Sequence, residues 1–121
     1  MTKSVVALLV TAISLLGQNI SGTWQGTLAP PDRPALRIVV KFTRAADESL
    51  KADFYSIDQT GQPFPASAAT QQGSNVKLTI PSVGGVYEGK LAADGNSITG
   101  TFTQGAPLPL NLVKEIGRAH V

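Results

Sequence analysis

Apolar and polar residues alternate along much of this chain, and this alternation constrains the fold more than any other feature of the sequence. Every second residue is apolar in residues 36–42, and the same period of two recurs in residues 76–80 and 108–112. Because successive side chains of a strand point to opposite faces of a sheet, each segment predicts a strand with one apolar and one solvated face. No segment after Gly17 has helical periodicity, so the sequence predicts an all-β fold.

Residues that favour turns separate these segments at regular intervals. About eight short strands result, over residues 22–28, 35–43, 50–58, 64–70, 75–80, 85–91, 97–103 and 107–114. Short connections allow neighbours in sequence to pair in space. The sequence therefore predicts a small antiparallel up-and-down barrel or a strongly curved meander, in which Pro63 and Pro65 make the fourth strand an edge, a bulge or a loop.

Two of the predicted hairpins share a short sequence. Residues 45–47 and 92–94 both read Ala-Ala-Asp, and each leads into a strand that carries an aromatic residue, Phe54 or Phe102. We therefore expect the same local hairpin at both places. The Asp-Gly pair at 94–95 is the sharper signal and predicts a type I′ turn, because both central residues of that turn need a positive φ.

The alternation also assigns the interior faces of the strands. The residues predicted to point inward are Trp24, Leu36, Ile38, Val40, Phe42, Leu50, Ala52, Phe54, Val76, Leu78, Ile80, Tyr87, Gly89, Leu91, Ile98, Gly100, Phe102, Leu108, Leu110 and Leu112. A barrel of about eight strands can be filled by its own side chains or can hold one small ligand, and both possibilities stay open here. The candidate ligand-binding residues are the inward aromatic ones: Trp24, Phe42, Phe54, Tyr87 and Phe102.

The amino terminus has the pattern of an export signal. Lys3 precedes an apolar stretch over residues 5–16, which is too short to cross a bilayer comfortably and suits the core of a signal peptide. We expect residues 1–17 to form a signal-peptide helix that is cleaved after Gly17, so that the mature protein is secreted or periplasmic. The alternative is an amphipathic helix that belongs to the core.

The carboxyl terminus departs from the alternation. Residues 116–121 read Ile-Gly-Arg-Ala-His-Val, which resembles a common sequencing-library adaptor translated in frame. We expect residues 115–121 to be such an artefact of a truncated gene, with a natural short tail as the alternative, and residues 18–114 to be the β-barrel domain. Segments of this kind are excluded from reasoning about the fold.

Composition removes several classes of function. The sequence has no cysteine and one histidine, His120, so a disulfide scaffold, a thiolate metal site and a histidine-dependent triad are excluded. A net charge of +2 is too small to argue for nucleic acid as a partner. The carboxylates that could form catalytic pairs are predicted to be solvated surface groups: Asp47, Glu48, Asp53, Asp58 and Glu88. The sequence therefore predicts a protein that is not an enzyme and that has no cofactor and no metal.

The first strand opens with Ser21-Gly-Thr-Trp-Gln-Gly26. Its Gly-x-Trp resembles the lipocalin and avidin-like groups, in which the tryptophan closes one end of an up-and-down barrel. The resemblance implies that Trp24 closes this barrel and packs against a basic side chain near the last strand. Lys114 occupies that position here, where lipocalins have an arginine.

A closer resemblance covers nearly all of residues 20–113. Residues 20–28, 54–63, 87–91 and 95–105 are similar to a β-rich amino-terminal domain of exported environmental-bacterial proteins. That domain is found ahead of α/β-hydrolase domains, peptidase-like domains or uncharacterised regions. The resemblance implies an accessory role and supplies no catalytic residues.

These observations predict a non-catalytic exported β-barrel accessory domain, the amino-terminal part of a truncated hydrolase-type or uncharacterised protein. The alternative is a free-standing lipocalin-like or avidin-like carrier of a small apolar ligand, and a secreted protease inhibitor on a similar barrel is a third interpretation. The expected partners are a downstream catalytic domain of the same chain or a small apolar ligand. Neither nucleic acid nor, after signal cleavage, a membrane is expected as a partner.

Overall fold

A computed structural model describes residues 19–115 of the chain. Ten strands follow one another: β1 (Gly22–Leu28), β2 (Leu36–Arg44), β3 (Leu50–Ser56), β4 (Phe64–Pro65), β5 (Ala68–Gln72), β6 (Asn75–Ile80), β7 (Gly85–Leu91), β8 (Ser97–Gln104), β9 (Ala106–Pro109) and β10 (Leu112–Lys114). A short 3₁₀ helix, Pro81–Val83, connects β6 to β7. The predicted signal peptide, residues 1–17, and residues 116–121 of the predicted tail lie outside the described residues.

The strands form one antiparallel sheet in the order β4-β3-β2-β1-β10-β8-β7-β6-β5, with β9 also paired to β8. Most neighbours in sequence are neighbours in space. The exceptions are β4 and β5, which do not pair with each other, and β10, which pairs with β8 and β1 and so joins the two ends of the described chain. The sheet is strongly curled, and we call it the barrel below. The predicted all-β, up-and-down architecture is confirmed.

Both edges of the sheet come from one stretch of chain. The predicted strand 64–70 divides into β4, which pairs with β3, and β5, which pairs with β6. Between them the Ala66 N–H donates to the Ala52 carbonyl, and the next N–H, that of Ser67, donates to the Thr79 carbonyl. The change of partner at this point explains the break, and the two-residue edge strand β4 agrees with the expectation from the two prolines.

The predicted last strand, 107–114, also divides in two. β9 and β10 both lie along β8, and between them the Leu110 N–H donates to the Gly100 carbonyl. The Gly100 N–H in turn donates to the side-chain Oδ1 of Asn111. A Cβ at Gly26 of β1 would collide with the Asn111 carbonyl, so the close approach of β1 to this break requires a glycine.

The hairpin that leads into β8 corrects one prediction. Gly95 has a φ of 76°, whereas Asp94 is not among the residues of positive φ, so the predicted type I′ turn is wrong. The Asp94 carboxylate accepts the Asn96 N–H, and the Gly95 N–H donates to the Ala92 carbonyl. This Asx turn leaves only one residue of the turn in the left-handed region, which is the physical reason for the difference.

The earlier hairpin uses the same arrangement. The Asp47 carboxylate accepts the Ser49 N–H, and the Glu48 N–H donates to the Ala45 carbonyl. Glu48 takes the place of the glycine with a φ of 75°. The prediction that residues 45–47 and 92–94 use the same local hairpin is confirmed.

The core lies inside the barrel and matches the predicted interior closely. Leu36, Leu50 and Leu108 are half-buried against it, and the other predicted apolar side chains are buried. The structure adds Ile20, Leu28 and the hydroxyl-bearing Ser56 to the buried set. Burial of this apolar surface is the main stabilising contribution to a domain of this size.

Candidate functional site

The five aromatic residues predicted as ligand-binding are all buried inside the barrel. Four of them form two pairs, and Tyr87 is separate. Trp24 and Phe42 meet edge to face with ring centroids 6.3 Å apart and planes at 86°. Phe54 and Phe102 stack with centroids 5.1 Å apart and planes at 18°. Each of these four rings therefore packs against another ring of the same chain, in geometries that aromatic pairs favour.

The polar atoms of these residues also have partners within the chain. Trp24 Nε1 donates to the Ile20 carbonyl at 2.9 Å, and the Tyr87 hydroxyl donates to the Leu110 carbonyl at 2.8 Å. Burial raises the pKa of the Tyr87 phenol above its ordinary value, so this residue stays a neutral donor. Neither group is left to bind a ligand.

Gly89 and Gly100, which the alternation also places inside, make room for Tyr87. A Cβ at Gly100 would collide with the tyrosine ring, and one at Gly89 would lie 3.0 Å from its hydroxyl. The space that the two missing side chains leave is therefore occupied by the Tyr87 side chain and, beside Gly89, by Cγ2 of Ile98, 2.5 Å from such a Cβ. The middle of the barrel is filled.

One end of the barrel, which we call the plugged end, is closed by Ile20, Trp24 and Lys114. Lys114 lies opposite Trp24 in the register of β10 and β1, and its Nζ is 5.7 Å from the centroid of the Trp24 ring. The same Nζ donates to the Asn19 carbonyl at 3.3 Å. The expectation that a basic side chain of the last strand packs on Trp24 is confirmed, and this contact also brings both limits of the described chain together.

The opposite end, which we call the open end, is formed by the connections 29–35, 57–63 and 81–84. A cleft of about 70 Å³ enters the barrel there. Its base is formed by buried side chains of the strands, among them Phe54, Ser56 and Phe102. Two of the five aromatic residues predicted as ligand-binding therefore border this cleft, and Trp24, Phe42 and Tyr87 do not.

Ser56 is the residue at this site that the sequence analysis did not identify. Its side chain is 3% exposed, and among the described residues its Oγ is the buried side-chain polar atom without a hydrogen-bond partner. The signal that could have found it is the period of two itself, because Ala52 and Phe54 of the same strand point inward and Ser56 is next. Ser56 was missed because the inward positions were assigned to apolar residues and to glycine, and serine is polar.

An ion pair holds the chain beside the open end. The Arg37 guanidinium donates to Asp58 Oδ1 at 2.8 Å, and the Arg37 backbone N–H donates to Asp58 Oδ2 at 2.8 Å. Hydrogen bonds from the Arg37 side chain and backbone lower the pKa of Asp58 below its ordinary value. Both side chains are solvated, so the pair contributes little to stability and mainly positions the start of the 57–63 connection.

The carboxylates considered as catalytic pairs lie on the surface of the barrel. Asp47, Glu48, Asp58 and Glu88 are exposed, and Asp53 is half-buried on the outer face. Asp47 accepts hydrogen bonds from Ser49, which lower its pKa, and Glu88 lies 3.8 Å from Lys77. Asp47, Asp58 and Glu88 therefore each have a local partner on the surface.

Residues 19–115 include no group of three or more histidine, cysteine, aspartate or glutamate side chains placed to hold a metal ion. In the same part of the chain, no helix has the length and hydrophobicity needed to cross a membrane. Family models and curated protein sequences were both searched, and neither search finds a match to this chain. The interpretation of the domain therefore rests on its own residues and geometry.

Proposed function

We propose that residues 18–114 form a non-catalytic accessory domain of an exported protein, whose activity belongs to a further domain of the same chain. The observation that carries the proposal is the filled interior. A domain whose rings and buried polar groups are satisfied by one another is suited to act as a rigid scaffold.

The arrangement of the barrel ends supports this role. Asn19 and Lys114 are in contact at the plugged end, so chain on either side of the domain leaves from one place. The open end faces away from that place and stays accessible to solvent. This geometry lets the domain be attached to a neighbour through one end while the other end remains free.

Export and the hydrolase-type neighbour are part of the proposal. They follow from the signal-like residues 1–17 and from the resemblance of residues 20–113 to β-rich domains that precede hydrolase and peptidase-like domains. The absence of cysteine is compatible with any redox compartment and does not decide the matter.

The first test is to amplify and sequence the gene past the codon for Lys114. We expect the reading frame to continue into a second domain, in place of residues 115–121. Deleting residues 18–114 from that longer protein should lower its solubility or its activity. An unchanged protein after the deletion, or a natural stop codon after Val121, would contradict the accessory role.

The carrier alternative requires space inside the barrel. The cleft of about 70 Å³ is less than half of the ~150 Å³ of an apolar cavity that accepts benzene. The filled interior therefore favours the accessory domain over a carrier that encloses its ligand. Organic extraction of the purified protein followed by mass spectrometry tests this directly, because a carrier releases a stoichiometric apolar compound and a filled barrel releases none.

A further inference from the structure

We propose that one outer face of the barrel is the surface on which the further domain of the same chain docks. This surface, which we call the outer row, crosses β10, β1, β2 and β3 and consists of Val113, Val39, Tyr55 and Ile57. The inference rests on the proposed function, because it requires a further domain after β10. It is carried by the exposure of these side chains and by the place where the chain leaves the barrel.

The register of the strands places the members of the outer row side by side. Gln25 of β1 lies between Val113 and Val39, and Val39 is opposite Tyr55. The Ile57 N–H still donates to a carbonyl of β2, so the chain continues the strand there. Because Ile57 is two residues after Tyr55, both side chains point to the same face. The four apolar side chains therefore form one row that only Gln25 interrupts.

The outer row leaves apolar surface in contact with solvent. Ile57 and Val113 are the exposed large hydrophobic side chains of the described chain, at 40% and 56%, and both belong to this row. Val39 and Tyr55 are half-buried between them. Single apolar residues on a surface are ordinary, whereas neighbouring ones form a patch of the kind that contacts other proteins.

The other half of the sheet, β5 to β8, has a different outer face. Ala68 and the half-buried Val86 are its apolar residues, and its other outward side chains are polar or charged. Among these are Lys77, Glu88, Lys90, Thr99, Thr101 and Thr103. The larger apolar side chains of the outer surface are therefore concentrated on one side of the barrel, the side that β10 borders.

The path of the chain brings a following domain to this row. Beyond β10 the Glu115 N–H donates to the Thr23 carbonyl at 2.8 Å, so the chain still lies along β1 at that residue. Val113 is two residues earlier, so a segment that follows Glu115 starts at the edge of the outer row. A neighbour tethered there has an effective concentration on the order of millimolar, which allows even a weak contact to form.

The small size of the outer row favours a tethered neighbour over a second copy of the chain. Four strands spaced by ~4.8 Å give the row a width of about 14 Å and, over about two residues along each strand, an area on the order of 200 Å². A stable interface between free proteins buries about 800 Å² on each partner. The outer row is therefore too small to hold two free copies together and is suited to a neighbour that is already attached.

The test is photo-cross-linking in the longer protein that the extended gene encodes. The photo-reactive amino acid benzoylphenylalanine replaces Tyr55 in one variant and Thr101, on the polar half of the sheet, in the matched control. Mass spectrometry of the digested protein identifies the linked peptides. We expect position 55 to link to the further domain of the same molecule, and position 101 to give no such link.

A charged substitution separates docking from chance proximity. Val113→Glu should remove most of the link from position 55, because a carboxylate covered by an apolar partner loses its hydration. The control Thr99→Glu should leave the link unchanged, and circular dichroism should show that both variants keep the parent fold.

Four results would overturn the inference: no link from position 55, equal links from positions 55 and 101, links between separate copies, or a link that Val113→Glu does not weaken. The accessory role survives each of them if deletion of residues 18–114 still lowers the solubility or activity of the longer protein. A gene that stops after Val121 contradicts both proposals at once.

Discussion

The two ends of the barrel are built from the same strands but differ in the hydrogen bonding of their buried polar groups. At the plugged end Trp24 Nε1 bonds to the Ile20 carbonyl, and Lys114 packs over the ring and bonds to Asn19. At the open end the Ser56 hydroxyl is buried beside a cleft and has no hydrogen-bond partner among residues 19–115. The hydrogen-bonded groups at the plugged end contribute stability, whereas a buried hydroxyl without a partner at the open end costs stability.

The largest expected effect is at the plugged end. Trp24→Ala removes the largest fully buried side chain and the hydrogen bond to Ile20, so the free energy of unfolding should fall by about 3–5 kcal/mol. Urea titration followed by circular dichroism measures the loss. Val113→Ala, on the exposed face of the neighbouring strand, is the control and should change little. A loss no larger than that of Val113→Ala would show that Trp24 does not close the barrel.

Tyr87 fills the middle of the barrel, between the two ends, and the variant Gly100→Ala tests how tightly it is packed. The added Cβ would collide with the tyrosine ring and lie 2.7 Å from the Glu88 carbonyl. We expect the free energy of unfolding to fall by about 1–3 kcal/mol, as is usual for an overpacked core. Gly61→Ala, where nothing lies within 4 Å of the added atom, should be neutral or slightly stabilising. Equal stability of the two variants would contradict the tight packing of Tyr87.

At the open end, a substitution of the buried polar residue should raise the free energy of unfolding rather than lower it. Ser56→Ala removes the buried hydroxyl without a partner, so the free energy of unfolding should rise by about 1 kcal/mol. Thermal unfolding of Ser56→Ala beside the matched control Ser97→Ala, at the plugged end, measures the difference. If Ser56→Ala were instead destabilised, the hydroxyl would have a partner in solution, and the contrast between the two ends would fail.

The smallest effect concerns the ion pair at the open end. Because the folded-state pKa of Asp58 lies below its ordinary value of 3.8, its pairing with Arg37 stabilises the fold above that pH and is lost as the pH falls through the lower folded value. Urea titrations at acid and neutral pH should therefore show that the unaltered protein is slightly more stable than Asp58→Asn, by an amount that begins to shrink below about pH 4 and is gone below the folded-state pKa of Asp58. High salt should reduce this difference at neutral pH, because exposed charges are screened. A difference independent of pH would exclude the ion pair as its cause.

Much of the fold could be predicted because it depends on local rules. The alternation located the strands and their inward faces, from Trp24 in the first to Leu112 in the last, and turn residues located the hairpins. The predicted type of the turn at 94–95 was wrong because the Asp94 carboxylate accepts the backbone N–H of Asn96, which a dipeptide rule does not consider. The candidate site was predicted only in part: Phe54 and Phe102 border the cleft, and Ser56 was missed because a polar residue is not expected inside.

The sequence by itself determined which residues are strands, which faces are apolar and where the chain turns, since these follow from the chemistry of neighbouring residues. The tertiary structure alone decided that Phe54 stacks on Phe102 and that Tyr87 reaches the Leu110 carbonyl over Gly100. The reason is that these contacts join residues far apart along the chain. They depend on the curl of the sheet, which brings such residues together and which no local pattern records.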